Sequence, residues 1–211
     1  VGVLTTAELQ ARLRPPEDPH DLGKWLAVTP LLDVDQVSNS SIDLRLGTHF
    51  TLTRTTRVRT LDAFAVADRQ SARNEIRSYQ RQIIVPYGSD LILHPGDFVL
   101  GTTIEYLRVP MDLCAYVMGR SSWGRLGLII ATAVVVHPGF AGCITLELVN
   151  EGSVPIALRP GVRICQLAVH STSGEEDDHP GPKYMGQVLS EYSRIYEDKE
   201  LPLVNALTVG P

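Results

Sequence analysis

Two arginines and two hydroxyls sit within one short stretch, Arg120-Ser121-Ser122 and Arg125, and a lone carboxylate, Glu147, follows inside an apolar strand pattern. Guanidinium forks match oxyanion geometry and hydroxyls complete the shell, so the arginine–serine group is chemically fit to cradle a phosphate. A turn or short helix opened by Arg125 after the serines would add backbone N–H donors. The same group is equally read as a surface turn that carries arginines. Glu147 is flanked by Leu146 and Leu148. A charged carboxylate among apolar neighbours is costly unless paired, so its pKa is expected to rise, which suits a general base near neutral pH. The plain alternative is an edge-strand glutamate paired with an arginine. Between the two, Leu126 to Val136 runs eleven residues without a charge, as the dry floor of a site would.

Other chemistries find little support. His94, His137, His170 and His179 are scattered without HxxxH or HxE spacing, and no P-C-x-x-C follows. Zinc-dependent nucleobase deaminases need that signature, so no catalytic zinc and no protein-held metal is expected. There is no Walker-type loop and no GxSxG. In the tail, KYMGQ supplies Lys183, Tyr184 and Gln187. An arm with one lysine, one ring and one amide is able to close over an anion, and it is also read as an ordinary solvated segment.

The elements that must position these groups read as short strands. Thr5-Thr6-Ala7-Glu8 looks like an N-cap and acidic first turn, with Leu4, Leu9 and Leu13 on one face and Pro15-Pro16 as the stop. Ser41 to Phe50 alternates Ile42, Leu44 and Leu46 against Asp43 and Arg45, a strand pattern ended by Gly47, and Thr51 to Arg59 continues as a polar exposed strand. Asp62 to Gln82 is the least β-like part, a helical or irregular excursion. Strands are predicted near Gln82–Val85, Asp90–Leu93, Asp97–Ile104, Leu107–Val109, Leu113–Met118, Leu128–Val136, Gly142–Asn150, Ile156–Leu158 and Arg163–His170. Turn signals such as His94-Pro95-Gly96, Pro138-Gly139 and Pro160-Gly161 separate them. Many short strands at such spacing indicate an all-β sandwich, barrel or jelly roll. After His170 the chain turns polar and acidic, then regains Tyr184, Leu189, Tyr192 and Ile195, as an arm folding back would.

The bulk numbers set the class. A chain of 211 residues with 44% hydrophobic and 20% charged residues reads as one globular domain, residues 1–211, with 171–211 as a closing arm. A net charge of −5 argues against a nucleic-acid polymer as partner, since backbone binders carry a basic excess. A triphosphate needs only a few local cations. Three cysteines without a CxxC unit point to a reduced, cytoplasmic setting. No apolar run approaches the roughly 18 residues of a membrane span, so no membrane association is expected, and no basic n-region with an apolar h-region marks a secretory signal.

Taken in order, SIDLRLGTHF, LHPGDFVLG, MGRSSWGRLGL, HPGFAGCITLELVNEG, LRPGVRICQL and KYMGQ followed by SRI resemble the dCTP deaminase branch of the dUTPase superfamily. The resemblance covers roughly residues 36–195. It implies a distorted jelly-roll β-barrel of the dUTPase type, with a short N-terminal helical segment and a C-terminal arm, assembled as a homotrimer with sites between subunits. It also implies roles. Arg120, Ser121, Ser122 and Arg125 would hold a nucleoside triphosphate, with Arg125 and Ser121 also helping at the reacting centre. Thr145 and Leu146 would present backbone to the cytosine, and Glu147 would activate water for attack at C4. Lys183 and Gln187 would bind phosphate when the tail closes, and Mg2+ would accompany the triphosphate.

Near the sugar and base the chain departs from the family pattern. After Thr132-Ala133, where the family carries an arginine and then an aspartate before Pro-Gly, stand Val135 and His137. Loss of the aspartate argues against dUTPase activity, and an imidazole offers a different hydrogen-bonding edge toward a sugar. The expected reaction is hydrolytic deamination of a cytidine nucleotide, foremost dCTP to dUTP and ammonia. The alternatives are a non-enzymatic nucleotide-binding regulator, and a deaminase of changed sugar or base specificity or with coupled triphosphate hydrolysis.

Overall fold

Thr5 opens the first helix. Its hydroxyl accepts the Glu8 N–H at 3.3 Å, and the Glu8 carboxylate accepts the Thr5 N–H at 2.7 Å, a reciprocal capping box. Helix α1 (Thr6–Leu13) buries Leu9 completely and lays Leu13 against the core. The computed structural model describes residues 2–18, 20, 22–53, 69–132, 135–173, 184–198 and 200.

Strands β1 (Ala27–Thr29), β2 (Val37–Ser38), β3 (Ser41–Arg45) and β4 (His49–Thr53) precede helix α2 (Arg69–Tyr79). The chain continues through β5 (Gln80–Ile84), β6 (Leu91–Leu93), β7 (Phe98–Arg108) and β8 (Leu113–Gly119) to the one-turn helix α3 (Ser121–Gly124). It then forms β9 (Leu128–Ile130), β10 (Val135–Val136), β11 (Ala141–Asn150), β12 (Ile156–Leu158) and β13 (Arg163–Ser171). A six-stranded sheet runs β5-β4-β7-β11-β9, with β1 also on β7, and a five-stranded sheet runs β10-β8-β13-β3-β2. All pairings are antiparallel. Among the described residues the fold is thus the all-β jelly-roll type read from the strand pattern, carried by two sheets with a small β12-β6 pair.

The core lies between the sheets. Leu44 and Leu167 from one side, Phe50, Leu146 and Leu148 from the other, are fully buried. Each such side chain contributes roughly 1.5–3 kcal/mol on transfer from water. On β11 the alternation is visible residue by residue. Ile144, Leu146 and Leu148 are buried, whereas Thr145, Glu147 and Val149 are half-buried.

Several strand boundaries differ from the sequence reading. The predicted strands Asp97–Ile104 and Leu107–Val109 are one strand, β7. The Glu105 carboxylate accepts the Arg45 N–H at 2.8 Å and the Gln36 amide at 2.8 Å, so it is buried without ending the strand. Conversely, Leu128–Val136 is not one strand. It supplies β9 to one sheet and β10 to the other. Arg69–Tyr79 forms the helical excursion. The exposed strand expected from Thr51 is instead the second half of β4, and Thr51 is buried because it lies between β5 and β7, with 54–59 outside the described residues.

Candidate active site

The arginine–serine group is a turn between β8 and β9. Arg120 caps α3, Ser121 and Ser122 form its first residues, and Arg125 closes it with its N–H on the Ser121 carbonyl at 3.0 Å. The Trp123 and Gly124 N–H groups both turn back to the Arg120 carbonyl. Arg125 therefore closes the turn rather than opening it, and the donors it presents are mainly side chains. Ser121, Ser122 and Arg125 are exposed, and Arg120 is half-buried. Trp123 pins the turn to β13 through its indole N–H, 2.9 Å from the Arg163 carbonyl.

From this turn the chain runs straight to Glu147. At Gly127, φ is +94°, and an added Cβ would lie 2.6 Å from the Gly152 backbone. Only glycine permits both the left-handed conformation and that close approach. The Gly127 carbonyl accepts the Glu151 N–H at 2.8 Å. Strand β9 then pairs with β11, Leu128 opposite Asn150 and Ile130 opposite Leu148. One step further, Ala131 donates its N–H to the Glu147 carbonyl at 2.8 Å, and the Thr132 hydroxyl accepts the Glu147 N–H at 3.0 Å. Thr132 is a site residue the sequence reading left without a role. Its one available signal was a hydroxyl ending an apolar run.

Paired residues on neighbouring strands project from the same face. Glu147 pairs with Leu100 of β7, and Leu100 with Thr51 of β4, so the three form one row on the face away from the core. Burial holds the Glu147 carboxyl above its ordinary pKa range. No salt bridge to Glu147 is seen among the described residues, so the edge-strand ion pair finds no support there.

The tail residue Gln187 is buried against the start of β11. Its carbonyl accepts the Cys143 N–H at 2.7 Å, and its side-chain amide donates to the Cys143 carbonyl at 3.1 Å. Further on, the Ser190 hydroxyl pairs with that of Thr51 at 2.8 Å, at the far end of the Glu147 row. The arm thus lies on the same face as Glu147. Cys143 and Glu147 direct their peptide groups to one edge of β11, where Gln187 meets the first and residues 131–132 the second. By strand alternation Thr145 faces this edge in the gap between them. The Thr145 hydroxyl and the Gln187 amide oxygen are buried without a partner among the described residues. Unpaired buried polar atoms cost about 1–3 kcal/mol each, and a polar ligand in the gap would satisfy them.

Other candidates fall elsewhere. Leu146 sends its side chain into the core and pairs with Gly101 of β7. Val135 is exposed on β10 opposite Tyr116, and His137 is exposed with its carbonyl accepting the Phe140 N–H at 3.2 Å. Ala133 and Lys183 lie outside the described residues. The structure therefore brings Glu147, Thr145, Thr132 and Gln187 to one strand edge. It connects the arginine–serine turn to that edge through the Gly127–Glu151 contact and β9.

Comparison with known proteins bears on the family and the fold. The profile of the family described as dCTP deaminase-like matches residues 17–172. A protein of Methanobrevibacter smithii named dCTP deaminase, dUMP-forming, is 41% identical over 182 residues, covering 83% of this chain and 90% of its own. The dCTP deaminase of Natronomonas pharaonis is 39% identical over 204 residues, with 94% and 97% covered. In fold, the crystal structure of 2'-deoxycytidine 5'-triphosphate deaminase from Agrobacterium tumefaciens superposes with a TM-score of 0.57 at 24% identity. That match covers 80% of this chain and 48% of the other, so the chain spans about half the length of that structural relative. The profile spans most of the β sandwich, including the arginine–serine turn and the Glu147 strand, and the chain belongs to the dCTP deaminase-like family.

Proposed function

We propose that the chain deaminates a cytidine nucleotide, foremost dCTP, by hydrolysis with Glu147 as general base. The observation that carries this reading is a half-buried carboxylate, its pKa raised by burial, on the same strand as the Thr145 hydroxyl, which is buried without a partner among the described residues. The Glu147 carboxylate takes a proton from water as the oxygen bonds to C4 of the cytosine ring. It then passes that proton to the exocyclic amine, which leaves as ammonia as the C4–N bond breaks, while the C4 hydroxyl gives up its proton, which ends on ring N3, and becomes the carbonyl. Arg125 and Ser121 stabilise charge at the tetrahedral centre, and Arg120, Ser121, Ser122 and Arg125 hold the triphosphate. Thr145 and Leu146 present backbone groups to the cytosine. Lys183 and Gln187 complete the site from the tail.

Sites of this kind are proposed to form between the subunits of a homotrimer in the cytoplasm. Residues 1–211 act as one domain, with 171–211 as the arm. The three cysteines are free, as suits a reducing compartment, and among the described residues no helix is long and apolar enough to cross a membrane. Among the same residues, no three His, Cys, Asp or Glu side chains group as a metal site. Arginine and serine donors fit phosphate oxygens rather than a cation, so Mg2+ would enter on the triphosphate itself, and no step above is routed through it.

The test is incubation with dCTP and with CTP, following ammonia release and loss of cytosine absorbance. Glu147→Gln is expected to lower kcat by about 10²–10⁴-fold while leaving nucleotide binding intact. Binding without turnover in the wild-type chain would instead favour the regulatory reading. A relative's name specifies dUMP as product, so pyrophosphate is measured in the same assay to separate dUTP from dUMP.

A further inference from the structure

Arg120 does not hang free in solvent. Its Nη1 lies 3.5 Å from Oδ2 of Asp43, a β3 residue with a side chain only 6% exposed. Strand register explains the meeting. Asp43 pairs with Gln166 of β13, which pairs with Met118 of β8, two residues before Arg120. The same Oδ2 accepts from Arg163 Nη1 at 3.2 Å, and Oδ1 accepts from the Gln166 amide at 3.2 Å. Arg163 in turn binds Asp33, Asp33 binds Arg45 at 3.1 Å, and Arg45 binds the fully buried Glu105. Charges alternate along this chain from the core to the arginine–serine turn.

A buried carboxylate needs partners, but Arg163 and Gln166 already satisfy Asp43. Arg120 is therefore surplus to the stability of Asp43, whereas Asp43 restricts the otherwise wide rotamer freedom of Arg120. Because Arg163 offsets its charge, Asp43 does so without presenting an uncompensated anion to an incoming phosphate. A guanidinium has five N–H donors, and one contact leaves the others free.

We propose that Asp43 is a positioning residue for the phosphate cradle, holding Arg120 oriented so that phosphate binding no longer has to order it. This rests on the deaminase reading of the turn, and the experiment separates the two. Tripolyphosphate binding is measured by calorimetry, and dCTP turnover is measured alongside. Asp43→Asn is expected to raise the Kd for tripolyphosphate and the KM for dCTP together by roughly five- to tenfold, with kcat within about twofold. In an Arg120→Ala background the same substitution is expected to change neither constant, because the coupling runs through Arg120. An unchanged Kd in the single variant, or an equal change in both backgrounds, overturns the proposal. If Asp43→Asn loses the fold, Gln166→Leu keeps both charges and carries the same test, with a roughly two- to threefold rise expected. Tripolyphosphate binding that follows this pattern without any dCTP turnover in the wild type would sink the deaminase reading and sustain the positioning role. No tripolyphosphate binding alongside dCTP turnover would overturn the positioning role and leave the deaminase reading standing.

Discussion

Glu147 owes its chemistry to where the strand puts it. Leu146 and Leu148 face the core, so Glu147 faces outward, in a row that the arm covers at the Thr51 end. Burial raises its pKa. The sign follows directly. A base works as the carboxylate, so kcat/KM should fall as pH drops through a midpoint above the ordinary glutamate value of about 4.3. A pH profile of kcat/KM with its acid limb at or below that value would contradict the role. Linkage points the same way for stability. A carboxyl with a raised folded-state pKa favours folding below its unfolded pKa, and that contribution is lost as pH rises through the folded value. Thermal melts at pH 7 should therefore find Glu147→Gln at least as stable as the parent chain.

At the level of elements, β11 works through its two edges. One edge is paired with β7 almost throughout. The other is shared by β9 near Asn150, residues 131–132 at Glu147 and the arm at Cys143. Gly142 lets the arm approach. Its φ is +153°, and an added Cβ would lie 3.0 Å from the Gln187 carbonyl and 3.3 Å from its N–H nitrogen. Gly142→Ala is expected to destabilise by about 1–2 kcal/mol and to loosen the arm. Limited proteolysis should cut within 184–198 faster in the variant, and equal protection would show that the contact does not hold the arm.

For the whole molecule, apolar side chains remain exposed around the site segment. Met118, Leu126, Ile129 and Val135 are each more than 40% exposed. Single exposed apolar residues are ordinary, but a group of them beside a functional turn suits burial against a neighbour. Sedimentation is expected to find three chains of 23.2 kDa together. A monomer under assay conditions would leave the turn and Glu147 to work within one chain, and would contradict a site completed between subunits.

Much of this was legible in the chain because it is local. Thr5 and Glu8 form their capping box within four residues, Ile144 to Val149 show period-2 burial, and RSSWGR brings its cations together by spacing alone. Each depends only on near neighbours and on which side meets water. Folding decided what no neighbour reveals. The uncharged run Leu126–Val136 has no polar residue before Thr132 to mark a phase, so its division between two sheets came only with β11 and β8 in place. Nothing next to Glu105 in the sequence announces Arg45 and Gln36, which bury it within β7. Asp43 reads as one polar step of β3 until β13 carries it to Arg163 and Arg120. Periodicity records how a residue divides between water and core, whereas cross-strand partners depend on register across the whole chain.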